Sequence, residues 1–425
     1  MGQGSPSQSQ SPLRTAAAGL IGNVLEWFDF AVYGYFSSDI GAQYFPESSA
    51  TAKKLLALTV FALGFAARPL GSIVLGRVGD RICRRALLTL SIGLMGGATL
   101  AIGLLPGFAT LGVAAPILLV VLRLVQGFSL GGEFTGSMVY TTELASPRLR
   151  GLISSSTAAG TTIGFILGSA AAWGVSRVFG CADASAWGWR LPFIGSVLFC
   201  VVGWLLRRGI HESDVAGEAA AVREHVLKSL VADWKPIGQT FGIVAMTNAA
   251  YYVVFTFVVE RRKSMTGEGG DAFLLANTLS LFVVLLAKPL GGWLSDRVCR
   301  RRMMSALTIT TMALVVVALR IMLYGTPTQF MLGQILLAVP LGMSLGLQGA
   351  MVVEIFPLRS RVTSMSLAYS ITLALAGGTA PLVSTWLIDR FHAPTAPAYY
   401  VMLFGVIGLA IMVPMAETNG RSLRQ

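Results

Sequence analysis

Charge is scarce in this chain. Asp, Glu, Lys and Arg make up 12% of its 425 residues, against 54% hydrophobic residues and a mean hydropathy of +0.69. A soluble domain carries about twice that charge, so the composition excludes one and leaves a polytopic membrane protein. Acid is scarcer than base, at 20 residues to 32, for a net charge of +12. A nucleic-acid binder would gather that excess on one face, whereas here the arginines fall in short loops between apolar stretches; a nucleic-acid partner is excluded. Histidine occurs three times, as His211, His225 and His392, all in or near loops and with no nucleophile or metal constellation around them. The chain is therefore not read as an enzyme, and no metal or other cofactor is expected. Four cysteines, Cys83, Cys181, Cys200 and Cys299, lie too far apart for a metal spacing or a disulfide framework. The opening MGQGSPSQSQSPLR lacks both a basic start and an apolar core. It reads as a disordered lead over 1–15 rather than a cleaved signal peptide.

What the chain does have is apolar runs, twice over. GRVGDRICRR, Gly76 to Arg85, recurs as GWLSDRVCRR, Gly292 to Arg301, displaced by about half the length. The chain is thus two parallel copies of one unit. Runs of about 20 apolar residues predict twelve spans near 16–38, 54–76, 86–106, 114–142, 152–176, 190–207, 237–259, 273–294, 303–324, 330–353, 362–387 and 398–415. The expected fold is an all-α membrane protein, two pseudo-symmetric six-helix bundles over 16–207 and 237–416. A cytoplasmic linker joins them at 208–236, and a short cytoplasmic tail follows at 417–425. By count, about 20 of the 32 lysines and arginines fall in the termini and the loops after even-numbered spans. Both termini are therefore expected to be cytoplasmic. Glu260-Arg261-Arg262-Lys263 runs against that count: either it rims the outer mouth or the seventh span is misread.

Ionisable groups inside spans are costly and are candidate functional groups by default. Counted at 1.5 Å per residue, Glu26 and Asp29 in span 1 and Arg123 in span 4 share one depth near the midplane. Glu26, Asp29 and Tyr33 also share a helical face. Asp29 opposite Arg123 reads either as a proton site or as a permanent ion pair fixing two helices, and Glu26 and Glu133 are further proton candidates. Arg68 and Lys288 each open a cation-Pro-Leu-Gly segment, in spans 2 and 8, and each is either a ligand for a substrate carboxylate or an anchor. Gln126, Asn248, Tyr251, Tyr252 and Tyr369 are polar groups on apolar spans that hydrogen-bond either a ligand or a neighbouring helix. Gly127-Gly131, Gly132-Gly136 and Gly160-Gly164-Gly168 read as small-residue ridges for close helix packing.

The repeated loop resembles a motif of the major facilitator superfamily. Gly76, Asp80, Arg81, Arg84 and Arg85 match its loop between helices 2 and 3, and Gly292, Asp296, Arg297, Arg300 and Arg301 match its loop between helices 8 and 9. Cys83 and Cys299 stand where that motif usually has glycine, so an altered loop geometry is expected. Gly22-Asn23, Glu26 to Phe30, Tyr33-Gly34, Arg68 to Gly71, Arg123, Gln126 to Ser129, Gly131 to Glu133 and Trp187 to Phe193 are similar, in order, to the metabolite:proton symporter family. That resemblance covers nearly the whole chain. It implies a secondary transporter of the bacterial inner membrane that draws on the proton gradient to import small carboxylates or zwitterionic osmolytes. The partners implied are a small-molecule substrate, protons and the lipid bilayer, with no obligate protein partner. Asn248, Tyr251-Tyr252 and Pro397 to Tyr400 are similar to the proline/glycine-betaine branch; Arg123 and Ser366 to Ser370 are similar to the citrate and α-ketoglutarate branch. Lys288 replaces a neutral residue common in the family, and the expected substrate is a di- or tricarboxylate, with a proline/betaine osmolyte the alternative. An exporter would carry a Gly-Pro signature in helix 5, and Gly160 to Ala172 has no proline. A sensor would need a signalling domain, for which the tails leave no room. The resemblance further implies two halves rocking about a midplane site, with the Asp80 and Asp296 loops latching one face, unless those loops only orient helices.

Overall fold

The structure, a computed structural model, describes residues 12–79, 84–131, 133–208, 231–267, 269–358 and 360–420. Asp80, Arg81 and Cys83 lie outside the described residues, as do 1–11, most of the linker at 209–230 and the end of the tail at 421–425; the side chains of Arg84 and Arg85 are likewise undescribed.

Twelve helical spans run in order: α1 Pro12–Tyr35, α2 Ala50–Leu75, α3 Arg84–Leu104, α4 Ala114–Glu143, α5 Arg150–Asp183, α6 Ala186–Leu205, α7 Trp234–Thr266, α8 Asp271–Ser295, α9 Arg300–Tyr324, α10 Pro327–Ile355, α11 Arg361–Phe391 and α12 Pro397–Met412. Nine described helices are long and apolar enough to cross a bilayer. Local chemistry sets several of the ends. Thr326 accepts the backbone N–H of Gln329 while the Gln329 side chain accepts that of Thr326, with Pro327 at the first turn, so α10 starts on a capping box. Ser49 caps α2. Pro69, which has no N–H to give, follows a break of α2 at Ala67.

Within each half the helices approach closely where side chains vanish. A Cβ at Gly127 would strike the Gly64 carbonyl and one at Gly71 the Phe128 carbonyl, so α2 and α4 lie in backbone contact. Across the halves the seam is built from α5 against α8 and from α2 against α11. Among the described residues, three single turns of π-helix interrupt the spans, at Ala184–Gly188, Val253–Phe257 and Leu373–Gly378. Such turns release carbonyls from the helical ladder, and here other side chains take them up: Tyr35 donates to the Phe255 carbonyl and Gln334 to that of Val254.

Candidate functional site

Two faces are sealed and a cavity lies between them. At the face where α1 begins and α12 ends, Asp296 accepts the backbone N–H of Gly151 at 2.7 Å and of Leu152 at 3.0 Å, so the loop after α8 caps α5 of the other half. Arg300 pairs with Asp296 at 2.8 Å and with Glu354 at 2.7 Å, and Arg150 reaches the same Glu354 at 3.1 Å. Arg361 of α11 pairs with Glu143 of α4 at 2.7 Å. Arg297 stacks on Trp293, and Arg301 donates to the carbonyls of Val413 and Met415. Of the predicted latch residues, the four of the second loop are therefore brought together here. Cys299 has an extended backbone at φ −62°, ψ 112°, a conformation open to any residue, so no glycine is required there.

The opposite face carries its own seal, which explains the discordant charges. Glu260 is buried against Lys54 and Ser38, and Lys263 pairs with Asp39 at 2.8 Å, so the 260–263 cluster rims that mouth and α7 is not misread. Deeper in, Asn277 of α8 donates to Tyr35 and to Ser169 of the other half, each at 2.9 Å. Asp39, Lys54, Glu354 and Arg361 were not singled out in the sequence. Their only signal was a charge within a turn of a span end, which loop charges share.

Between the seals, Trp27, Phe134, Met138, Ala158, Thr161, Phe165, Asn248, Tyr251, Leu345, Gln348 and Tyr369 enclose a cavity of about 30 Å3. That is room for a water or so rather than a metabolite. Of the predicted ligand residues, Asn248, Tyr251 and Tyr369 reach it. Tyr252 lies just behind, its ring 6.5 Å from that of Trp27 and 5.5 Å from that of Phe65.

Arg123 does not line this cavity. It donates to Asp29 at 2.7 Å and to Gln126 at 2.8 Å, while Gln126 donates to Asp29 at 3.0 Å and to Thr99 at 2.7 Å. Tyr33 covers the guanidinium at 4.2 Å and is held by the Ala57 carbonyl; all five polar residues are buried inside the first half. The depth argument that paired Asp29 with Arg123 is met by the geometry. Tyr33 and Phe30 cover the Arg123 guanidinium.

Two other cations stand closer. Arg68 pairs with Glu26, and its guanidinium carbon lies 5.5 Å from the ring of Trp27, which lines the cavity. Lys288 is fully buried and crosses the seam to donate to the Ala158 carbonyl and to Thr161 Oγ1 at 2.9 Å, both residues of the lining. Among the described residues, no carboxylate lies within ion-pair reach of it. Glu133 sits at the resumption of α4 and accepts from Ser91 at 3.3 Å.

Among the described residues, twelve spans in two halves that meet around a central cavity define a membrane transporter. Residues 15–215 match the family model for sugar (and other) transporters, and 266–421 match that of the major facilitator superfamily. A proline/betaine transporter of Salmonella typhimurium is 31% identical over 430 residues, covering 97% of this chain and 85% of its own. A citrate-proton symporter of Klebsiella pneumoniae is 34% identical over 395 residues, covering 91% and 88%. In fold, the chain is similar to a partially occluded inward-open structure of the xylose transporter XylE from E. coli, with a TM-score of 0.76 at 17% identity, covering 98% and 100%. The chain belongs to the major facilitator superfamily: it is a multi-pass membrane transporter and not an enzyme.

Proposed function

We propose that this chain is a proton-coupled symporter that takes up a small zwitterion with a single carboxylate, of the proline and betaine kind. The observation that carries this reading is the lining. Five aromatic rings, those of Trp27, Phe134, Phe165, Tyr251 and Tyr369, surround the cavity, and none of its lining side chains is formally charged. Aromatic faces attract ammonium groups. A tricarboxylate would bring three negative charges to a wall that answers none of them, whereas a zwitterion brings no net charge. The relatives named as proline/betaine transporters support the same choice.

One observation favours the second reading, a di- or tricarboxylate. Lys288 is a buried cation with no carboxylate in reach among the described residues, one side chain behind the wall. A second carboxylate on the substrate would draw it inward, and a relative named as a citrate-proton symporter supports that. In either case the proton gradient supplies the energy with no cofactor, and no protein partner is required. The arginine-rich face, where α1 begins, is cytoplasmic in this reading, and transport proceeds by rocking of the halves between the two seals in the plasma membrane.

Equilibrium binding to the purified protein tests the choice. Glycine betaine or proline is expected to bind more tightly than citrate or α-ketoglutarate. The reverse order would replace the osmolyte by the organic acid.

A further inference from the structure

Three side chains on the cavity wall carry, among the described residues, a buried polar atom with no hydrogen-bond partner: Trp27 Nε1, Tyr251 Oη and Gln348 Oε1. Tyr251 Oη has the Thr162 hydroxyl beside it, so two remain. Buried polar groups are almost always paired, and an orphan on a cavity wall points to what the cavity holds. These two are opposite in kind, since an indole N–H only donates and an amide oxygen only accepts.

They also stand on opposite halves. Trp27, in α1, is 4% exposed and Gln348, in α10, is 2% exposed. Between them the wall runs through Phe134, whose ring lies 5.9 Å from that of Trp27 and 5.4 Å from that of Tyr369. Tyr369 sets the Gln348 amide: its oxygen accepts from Gln348 Nε2 at 3.2 Å, which commits the donor end of the amide to the wall and leaves the acceptor end over. The Tyr369 hydroxyl also meets Asn248, which is itself held to the Val244 carbonyl at 2.9 Å.

We propose that Gln348 reads the N–H of the substrate's ammonium group while Trp27 donates to its carboxylate. The zwitterion then lies across the seam, carboxylate toward the first half and ammonium toward the second, with the aromatic rings about the cation. A secondary ammonium, as in proline, has a hydrogen to give Gln348 Oε1. A quaternary ammonium, as in glycine betaine, has none and leaves that oxygen buried without a partner. The site thus selects among zwitterions, taking amines that keep an N–H over fully methylated ones. Trp27 and Gln348 are neutral and the ligand carries no net charge, so binding leaves the charge of the site unchanged. This inference rests on the zwitterion reading proposed above.

Three ligands isolate the hydrogen. Proline, N-methylproline and N,N-dimethylproline share a ring and a carboxylate and carry two, one and no N–H. Their equilibrium binding to the purified full-length protein is measured, with citrate in parallel. The wild type is expected to bind the first two within about threefold of each other and N,N-dimethylproline about tenfold more weakly, the worth of one hydrogen bond. Gln348→Met removes the acceptor at similar length and is expected to shrink the gap to about twofold or less, which crowding by the added methyl would not do. Trp27→Phe keeps the ring and is expected to weaken all three ligands alike. N,N-dimethylproline bound as tightly as proline by the wild type, or an undiminished gap in Gln348→Met, overturns the role of Gln348 and leaves the zwitterion reading standing. Unchanged affinity in Trp27→Phe overturns the orientation. If neither variant folds, the wild-type series decides. If no zwitterion binds and citrate does, the zwitterion reading falls and this inference with it.

Discussion

Asp296 caps the amino end of α5 through the N–H of Gly151, a helix of the opposite half, so the second latch loop closes one face by finishing the other half's hydrogen bonding. Hydrogen bonds to charged groups contribute about 1.5–3 kcal/mol. A β-carbon on Gly151 would meet the Gly292 carbonyl, which keeps the two backbones in register. Asp296→Ala is therefore expected to speed backbone hydrogen exchange at Gly151 and Leu152 by about ten- to a hundredfold, read by mass spectrometry on the peptide that contains them. Unchanged protection there would show that the loop only orients α8 and α9.

Asp29 and Arg123 make different forecasts as a proton site and as a fixed pair. The enclosure by Tyr33, Gln126 and Thr99 supports the fixed pair. Breaking such a pair from one side costs about 3–5 kcal/mol, because the other charge stays buried. Asp29→Asn is expected to lower the heat-denaturation midpoint in detergent, and adding Arg123→Gln to recover most of the loss. A thermally stable Asp29→Asn protein that exchanges substrate but no longer accumulates it would restore Asp29 as the proton site.

Much of this was legible in the residues, and what was not has a physical reason. Twelve spans, the duplication and the second latch loop follow from apolar length and from a repeated string, which are local properties. The facing of Asp29 and Arg123 followed from helical depth. Depth says nothing of azimuth, however: Arg68 and Arg123 sit on neighbouring spans, and only packing decides that one touches Trp27 at the cavity while the other is covered by Tyr33. The 260–263 cluster read as either a rim of the mouth or a misread span, and its bonds to the other half were not legible for a related reason. Its partners, Asp39 and Lys54, lie more than 200 residues away and belong to the other half.

Glu417, beyond the last span, ties the chain's end to the start of α9. It accepts the N–H of Arg300 at 3.0 Å and of Arg301 at 3.2 Å and also takes the Cys299 thiol. Burial pushes its carboxyl upward, but the donors from Cys299, Asn419, Arg301 and Arg300 outweigh that and hold it below the ordinary carboxylate range. A carboxyl depressed on folding stabilises above its unfolded value, about 4.3, and that contribution is lost as pH falls through the folded value. Glu417→Ala is thus expected to lower the denaturation midpoint at pH 7, by about the 0.5–2 kcal/mol of a helix cap. The gap should close in acid. An equal gap at pH 7 and at about pH 3 would mean that the carboxylate charge has no part in it.

Lys288 decides between the two substrate classes. Its ammonium spans the seam to Ala158 and Thr161 and needs no substrate to satisfy its hydrogen bonds, so a ligand with a single carboxylate has no need to recruit it. Lys288→Gln removes the charge and keeps an N–H donor, one bond shorter, toward Ala158 and Thr161. Under the zwitterion reading, glycine betaine and proline are expected to bind this variant within about twofold of wild type, well under the 1.4 kcal/mol of a tenfold change. A di- or tricarboxylate that recruits the lysine would instead lose about 1.5–3 kcal/mol, roughly ten- to a hundredfold in affinity. Titration of both ligand classes against wild type and variant reads the difference directly. Weak betaine binding together with tight citrate binding that Lys288→Gln abolishes would assign the cavity to an organic acid, and would make Lys288 the second cation that the aromatic lining lacks.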